Sequence, residues 1–228
     1  MAGLQRVLVL GGGIGGQVAA TRLKQKLGGG ARVTLVERSE AFVFAPSLLW
    51  LIAGKRKPAT ISRGYSAFAR RGIEVVHATV TAIDSAASAV ETDGGRLEYD
   101  YLVIALGAAL DQERIPGLAE HTHHPYDLPS AERLRDALAK FDGGRVTVAI
   151  ASLPYKCPAA PYETAMLIDG YLRERGIRAK SRIEMYTPEP LPMPVAGAAA
   201  GHRVAAELAG RDIAFHPRSQ LESAEAGA

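Results

Sequence analysis

One sulfur atom is the first place in this chain where chemistry can happen. Residues 153–163 read Leu-Pro-Tyr-Lys-Cys-Pro-Ala-Ala-Pro-Tyr-Glu, and Cys157 is the only cysteine among 228 residues. The thiolate is the nucleophilic and redox-active form of cysteine. Lys156 beside it, and the positive end of a helix expected to begin near Pro161, both favour that form. The alternative is a buried cysteine acting as a small, inert apolar side chain. A single cysteine excludes an intramolecular disulfide and with it a stapled, secreted scaffold.

A second chemical feature lies at the N-terminus. Gly11-Gly12-Gly13-Ile14-Gly15-Gly16 follows the expected strand 6–10 and precedes a helical pattern with Val18, Ala19, Leu23 and Leu27 on one face. A second expected strand, 32–37, ends in Glu37, 21 residues after Gly16. This is the G-x-G-x-x-G arrangement in the strand–loop–helix setting it requires. Gly11 allows the tight turn, Gly13 lets the backbone approach a pyrophosphate, and Gly16 lets helix and strand pack closely. The helix N-terminus offers unpaired N–H groups to the phosphates. Glu37 can accept from both ribose hydroxyls and disfavours a 2′-phosphate. A dinucleotide site is the expectation.

The elements that must position these groups follow from periodicity. After a short helix through 65–71, the runs 74–84, 88–92 and 96–100 alternate and are separated by turn residues, so a three-stranded β-meander is expected. The strand 101–106 then meets Gly107. Beyond Pro116-Gly117 a helix over 131–141 is expected, with Ser130 as its cap and Gly143-Gly144 as its stop. Strand, helix, strand, helix and strand then follow over 145–151, 164–172, 181–187, 202–208 and 213–217. The fold class expected is α/β: two Rossmann-like dinucleotide-binding units, the first with an inserted meander, spanning 1–117 and 118–228. The turn of the second unit holds no glycine between residues 145 and 169, so its pyrophosphate cradle is missing.

Composition narrows the class. A net charge of +3 and no basic stripe interleaved with aromatics argue against a nucleic-acid surface. No stretch reaches the roughly 18 apolar residues of a membrane span, and the N-terminal apolar run breaks into glycines too early for a signal peptide. A cytoplasmic location is the default. His121, His123 and His124 lack the spacing and the companions of a metal site and are expected in a solvated loop.

A meander between parallel strands and the small-residue turn Ala105-Leu106-Gly107-Ala108 resemble the FAD domain of the pyridine nucleotide–disulfide oxidoreductase superfamily. Within it, residues 42–63, the stretch Pro154–Glu163 and the later 187–197 resemble sulfide:quinone oxidoreductases over essentially the whole chain. The resemblance implies FAD, held by Gly11, Gly13, Ile14, Gly15, Gly16, Glu37, Arg38, Pro46, Val80, Ala105 and Gly107. It implies a catalytic group of Cys157, Lys156 and Glu163: the cysteine oxidises sulfide at the flavin, the glutamate is an acid/base, and a quinone takes the electrons.

The chain departs from that family's pattern in three places. Tyr126 and Ser130 stand near the positions of a family cysteine and histidine. Phe44-Ala45-Pro46 has no cysteine, so FAD is not tethered there. The histidine expected after Pro188-Glu189-Pro190 is replaced by Leu191–Val195. Family members also run on to a second redox cysteine, further flavin contacts and helices that dock on the inner face of the cell membrane. The chain is therefore expected to be part of a longer protein. Two other functions compete: a type II NADH:quinone reductase, and a degenerate dinucleotide-binding module without turnover.

Overall fold

The computed structural model describes residues 4–226. In chain order its elements begin β1 (Gln5–Leu10), α1 (Ile14–Leu27), β2 (Ala31–Val36), β3 (Ala41–Val43), α2 (Leu48–Ile52), α3 (Pro58–Ile61), β4 (Ser62–Gly64), α4 (Ser66–Ala69) and β5 (Ile73–Val76). They continue with β6 (Val80–Asp84), β7 (Ala89–Thr92), β8 (Gly95–Glu98), β9 (Tyr101–Ile104), α5 (Leu118–His121), α6 (Leu128–Lys140), β10 (Gly144–Ala149), α7 (Ala160–Glu174), β11 (Ser181–Tyr186), α8 (Ala198–Gly210) and β12 (Ile213–His216). The chain forms two compact units. One comprises residues up to Val43 together with Ser62–Leu110, the other Phe44–Ile61 together with residues from Asp111 onward.

In the first unit a parallel sheet has the order β5-β2-β1-β9. Its central strand β1 reads as an unbroken apolar run because both of its faces are covered. Val7 and Val9 pack with Val33, Leu35 and Ile73 against Ala20 of α1. Leu8 and Leu10 point the other way, into a cluster with Val36, Ala78, Val90 and Tyr99 beneath the antiparallel meander β6-β7-β8. The meander is therefore built as expected, with one correction. The run 74–84 is two strands, not one. Its first half, β5, pairs in parallel with β2, with Ile73 beside Val33. The chain leaves the sheet at His77–Thr79, and only then does β6 pair with β7. Ile73 is buried in the helix-side cluster, and that long-range burial takes the segment into the parallel sheet.

The second unit repeats the strand–helix–strand–helix–strand order, with the parallel sheet β10-β11-β12 crossed over by α7 and α8. Ile183 and Met185 of β11 are fully buried and align with Val146 and Val148 on one side and Ile213 and Phe215 on the other. Residues 44–61 belong here, and not with the first 117 residues, because Leu48, Leu49, Leu51 and Ile52 of α2 are buried and the helix packs on α6 and α7. Helix α6 begins earlier than expected. Asp127 is its cap, accepting from the Ser130 N–H at 2.8 Å, and Pro129 fits the first turn where an N–H is not needed. Ser130 becomes the third helical residue, and Phe141 ends the helix ahead of Gly143-Gly144.

A buried ion cluster ties this unit together. The fully buried carboxylate of Asp169 on α7 pairs with Arg173 at 2.9 Å and Arg178 at 2.6 Å. Burial alone would raise the Asp169 carboxyl, but the hydrogen bonds from Arg173 and Arg178 outweigh it and hold it below the usual range. Its contribution is thus present above the ordinary carboxylate pKa and lost as pH falls through the lower folded value. Asp169→Asn is expected to cost about 3 kcal/mol or more at neutral pH, because Arg178, only 11% exposed, loses its nearest counter-charge and keeps only the exposed Asp212 at 3.7 Å. Urea unfolding at several pH values checks this: the gap between the two proteins should shrink on acidification.

Candidate active site

The glycine loop is held from three sides. Gly11 sits at φ +96°, and a Cβ there would lie 2.4 Å from the Ala105 carbonyl oxygen. A Cβ on Gly16 would lie 1.8 Å from the Gly11 oxygen, so helix α1 can start this close to β1 only with glycine. Gly12, which the motif leaves unspecified, is also constrained. The buried Tyr65 hydroxyl donates to its carbonyl at 3.0 Å and would stand 2.6 Å from a Cβ there. Burial, and then the charge of Glu37, push the Tyr65 phenol up to about 12, so it stays a donor.

What this loop presents outward fits a dinucleotide. The helix ladder begins with the Gln17 N–H donating to the Gly13 carbonyl at 3.0 Å. The amides of Ile14, Gly15 and Gly16 therefore head the helix with no acceptor inside it, and the first turn carries no acidic side chain. A Cβ on Gly13 would meet open space, so no protein atom blocks a phosphate from approaching the backbone there. The Glu37 carboxylate receives the Gly12 N–H at 2.6 Å on one oxygen and the Ser39 N–H at 2.9 Å on the other. Each oxygen keeps a second lone pair for a ribose hydroxyl. The Ala105 N–H bonds the Leu10 carbonyl at 2.8 Å, which closes β9 over the loop.

The other expected cofactor residues are spread more widely. Gly107 has φ +75° and open space around it, and Arg38 is exposed. Val80 packs with the cluster beneath the meander. Pro46 is part of the second unit.

The second strand exit is built differently. Cys157 is exposed and adopts φ +56°, a left-handed conformation that costs a residue other than glycine about 1 kcal/mol or more. Helix α7 starts at Ala160, one residue before Pro161. The Ala160 N–H is taken by the Cys157 carbonyl at 3.0 Å, and Pro161 has no N–H. Of the three amides that head α1 in the first unit, the equivalent turn here thus loses one to Pro161 and has one tied to the Cys157 carbonyl, leaving that of Tyr162. Lys156 and Glu163 are both exposed on this short stretch, Glu163 in the first turn of α7.

The sequence assigns no role to four polar residues around this loop. The Tyr126 hydroxyl donates to the Lys156 carbonyl at 3.0 Å. Burial, and then the neighbouring Cys157, push the Tyr126 phenol up to about 12. Tyr155 and Tyr162 both donate to Oε2 of Glu189, at 3.0 and 2.8 Å. Burial, and then the Glu189 carboxylate, push Tyr162 up to about 12 and Tyr155 still further. Glu189 itself is 5% exposed, in the Pro188-Glu189-Pro190 stretch that follows β11. The one available signal was a carboxylate set between prolines directly after a buried strand.

The expected solvated histidine loop is only partly so. His121 and His123 are exposed, but His124 is half-buried, accepts from the Tyr126 N–H at 3.3 Å, and is held below the usual histidine range mainly by burial.

Comparison with known proteins decides the family. The model of the pyridine nucleotide-disulphide oxidoreductases matches residues 5–227. The chain belongs to this family. Its members are FAD-binding flavoproteins, and the donors and acceptor around Gly13 fit that cofactor. The mouse mitochondrial sulfide:quinone oxidoreductase is 33% identical over 183 residues, covering 78% of this chain and 40% of that protein. The solved sulfide:quinone oxidoreductase of Aquifex aeolicus superposes with a TM-score of 0.90 at 30% identity, over 97% of this chain and 52% of that one. The Arabidopsis thaliana alternative NAD(P)H-ubiquinone oxidoreductase C1 is 32% identical over 196 residues, 75% of this chain and 37% of that protein. The chain thus spans about half or less of the relatives it matches. Among the described residues no helix is long and apolar enough to cross a membrane.

Proposed function

We propose that the chain is the FAD- and sulfur-handling part of a flavoprotein that passes electrons from sulfide, or a related small sulfur donor, to a quinone. The observation that carries this reading is the strand exit at 151–159. An exposed thiol in a strained conformation stands where the first unit has a glycine cradle, and two of the three amides a second dinucleotide would use are missing or taken, one at Pro161 and one by the Cys157 carbonyl. That pattern supports a sulfur donor over NAD(P)H.

In this account the first unit binds FAD. The amides of Ile14, Gly15 and Gly16 hold its pyrophosphate, Glu37 its ribose, and Gly13, without a side chain, lets the protein backbone approach that pyrophosphate. Arg38, Pro46, Val80, Ala105 and Gly107 are the further cofactor contacts the reading assigns. Bound FAD supplies a two-electron acceptor that a quinone can reoxidise. Cys157 supplies the sulfur site. Its thiolate and hydrosulfide form one S–S bond, leaving a persulfide on Cys157 and releasing one proton and two electrons. Glu163 accepts the proton, and Lys156 attracts the anionic donor by its charge. The persulfide sulfur then leaves to a nucleophile outside these residues, because no second cysteine is present.

The relatives also support a second donor, since one is an NAD(P)H-ubiquinone oxidoreductase. Anaerobic reduction of the FAD-loaded parent protein by sulfide and by NADH separates the two.

A further inference from the structure

We propose that Glu189, acting through Tyr155 and Tyr162, is the positioning residue that holds Cys157 in its left-handed conformation. The proposal rests on the assignment of Cys157 as the sulfur site and adds what keeps it there. A residue other than glycine stays at φ +56° only where its surroundings overdetermine it. The backbone around Cys157 is fixed on both sides. Before it, the Lys156 carbonyl accepts from Tyr126 at 3.0 Å. After it, the Cys157 carbonyl itself accepts from the Ala160 N–H at 3.0 Å, and two residues before it Tyr155 gives its single hydroxyl proton to Glu189 at 3.0 Å, with the Pro158 carbonyl a longer second acceptor at 3.3 Å.

Glu189 sits on a different segment, in the exit from β11, and is itself anchored. Its N–H donates to the Thr187 hydroxyl at 3.1 Å, and Thr187 is fully buried. The Tyr162 hydroxyl reaches the same Oε2 at 2.8 Å from the first turn of α7, at 2% exposure. One carboxylate oxygen thus joins three segments: the cysteine loop, the start of α7 and the exit of β11. Met193, further along that exit, is also left-handed at φ +51°, so both strand exits joined by Glu189 carry a strained residue. A buried carboxylate with two phenol donors is a rigid node. Charge-assisted hydrogen bonds are about twice as strong as neutral ones; without the carboxylate Tyr162 loses this acceptor, and Tyr155 keeps only the longer contact to the Pro158 carbonyl within its own loop, which ties it to no other segment.

The test uses Cys157 as the only attachment point for a nitroxide label in the chain. Electron paramagnetic resonance then reads the local motion on the nanosecond scale. Glu189→Ala and Tyr155→Phe are expected to shorten the label's rotational correlation time by about threefold or more. Glu189→Gln should keep the wild-type line shape, because its carbonyl oxygen can take over the role of Oε2. A control label at Asp142→Cys in a Cys157→Ser background, before β10 at the opposite end of that strand, should not respond. Unchanged line shapes at Cys157 in both Glu189→Ala and Tyr155→Phe would overturn the proposal. So would equal mobilisation of the control label, which would signify general loosening. Label motion is independent of sulfide chemistry. If Cys157→Ser leaves flavin reduction intact while Glu189→Ala frees the label, the assignment of Cys157 falls and the positioning role stands.

Discussion

Cys157→Ser is expected to lower sulfide-dependent flavin reduction in the FAD-loaded parent protein by about a thousandfold or more, with FAD still bound. A hydroxyl is the nearest isostere of the thiol, so the loop keeps its shape. It ionises far less readily near neutral pH and forms no stable bond to sulfur, so the proposed S–S bond cannot form. A thousandfold loss corresponds to about 4 kcal/mol of transition-state stabilisation, the size expected when the covalent group itself is removed. Stopped-flow absorbance of the flavin reads the rate, and the same sample reports FAD content before mixing. A rate within tenfold of wild type would remove Cys157 from the reaction.

The second large effect is expected at the other strand exit. Gly16→Ala places a Cβ 1.8 Å from the Gly11 carbonyl oxygen, a backbone atom that cannot swing aside. The start of α1 must then move away from β1, taking the Ile14, Gly15 and Gly16 amides with it. FAD affinity should fall by about a hundredfold or more, close to 3 kcal/mol, and the melting temperature should fall as well. Gly13→Ala separates the two effects. Its Cβ meets open space, and φ −68° suits alanine, so stability should be retained. The same methyl group would occupy the approach of the pyrophosphate, so FAD affinity alone should fall. Equilibrium dialysis with FAD and thermal melts of both variants check the pair. Equal FAD affinity in Gly13→Ala and wild type would mean the cofactor does not approach there.

These two strand exits differ in how far their roles could be read from residues. The glycine loop is local. Turn, helix start and following acid lie within one strand–helix–strand unit, so Gly11, Gly16 and Glu37 could be placed by spacing alone. Tyr65, which makes Gly12 obligatory, could not, because it reaches the loop from more than fifty residues away. The same distinction divides the rest of the fold. Strand β1 was legible from its apolar run. The split of residues 74–84 was not, because Ile73 is drawn to β2 by a parallel pairing that alternation within the segment does not reveal. The burial of α2 among residues of the second unit was hidden for the same reason. Near Cys157 the sequence showed a thiol, a lysine and prolines. It did not show that Tyr126, Tyr155, Tyr162 and Glu189 meet around them, because those contacts join helix, loop and strand exits distant in the chain.

The central claim is that a sulfur donor, and not a nicotinamide, delivers electrons to this flavoprotein. Anaerobic mixing of the FAD-loaded parent protein with sulfide in one experiment and NADH in another tests it most directly, with the visible absorbance of the oxidised flavin as the signal. The account predicts bleaching by sulfide at a saturable rate, recovery on adding a quinone, and no comparable bleaching by NADH. Rapid bleaching by NADH with none by sulfide would contradict it.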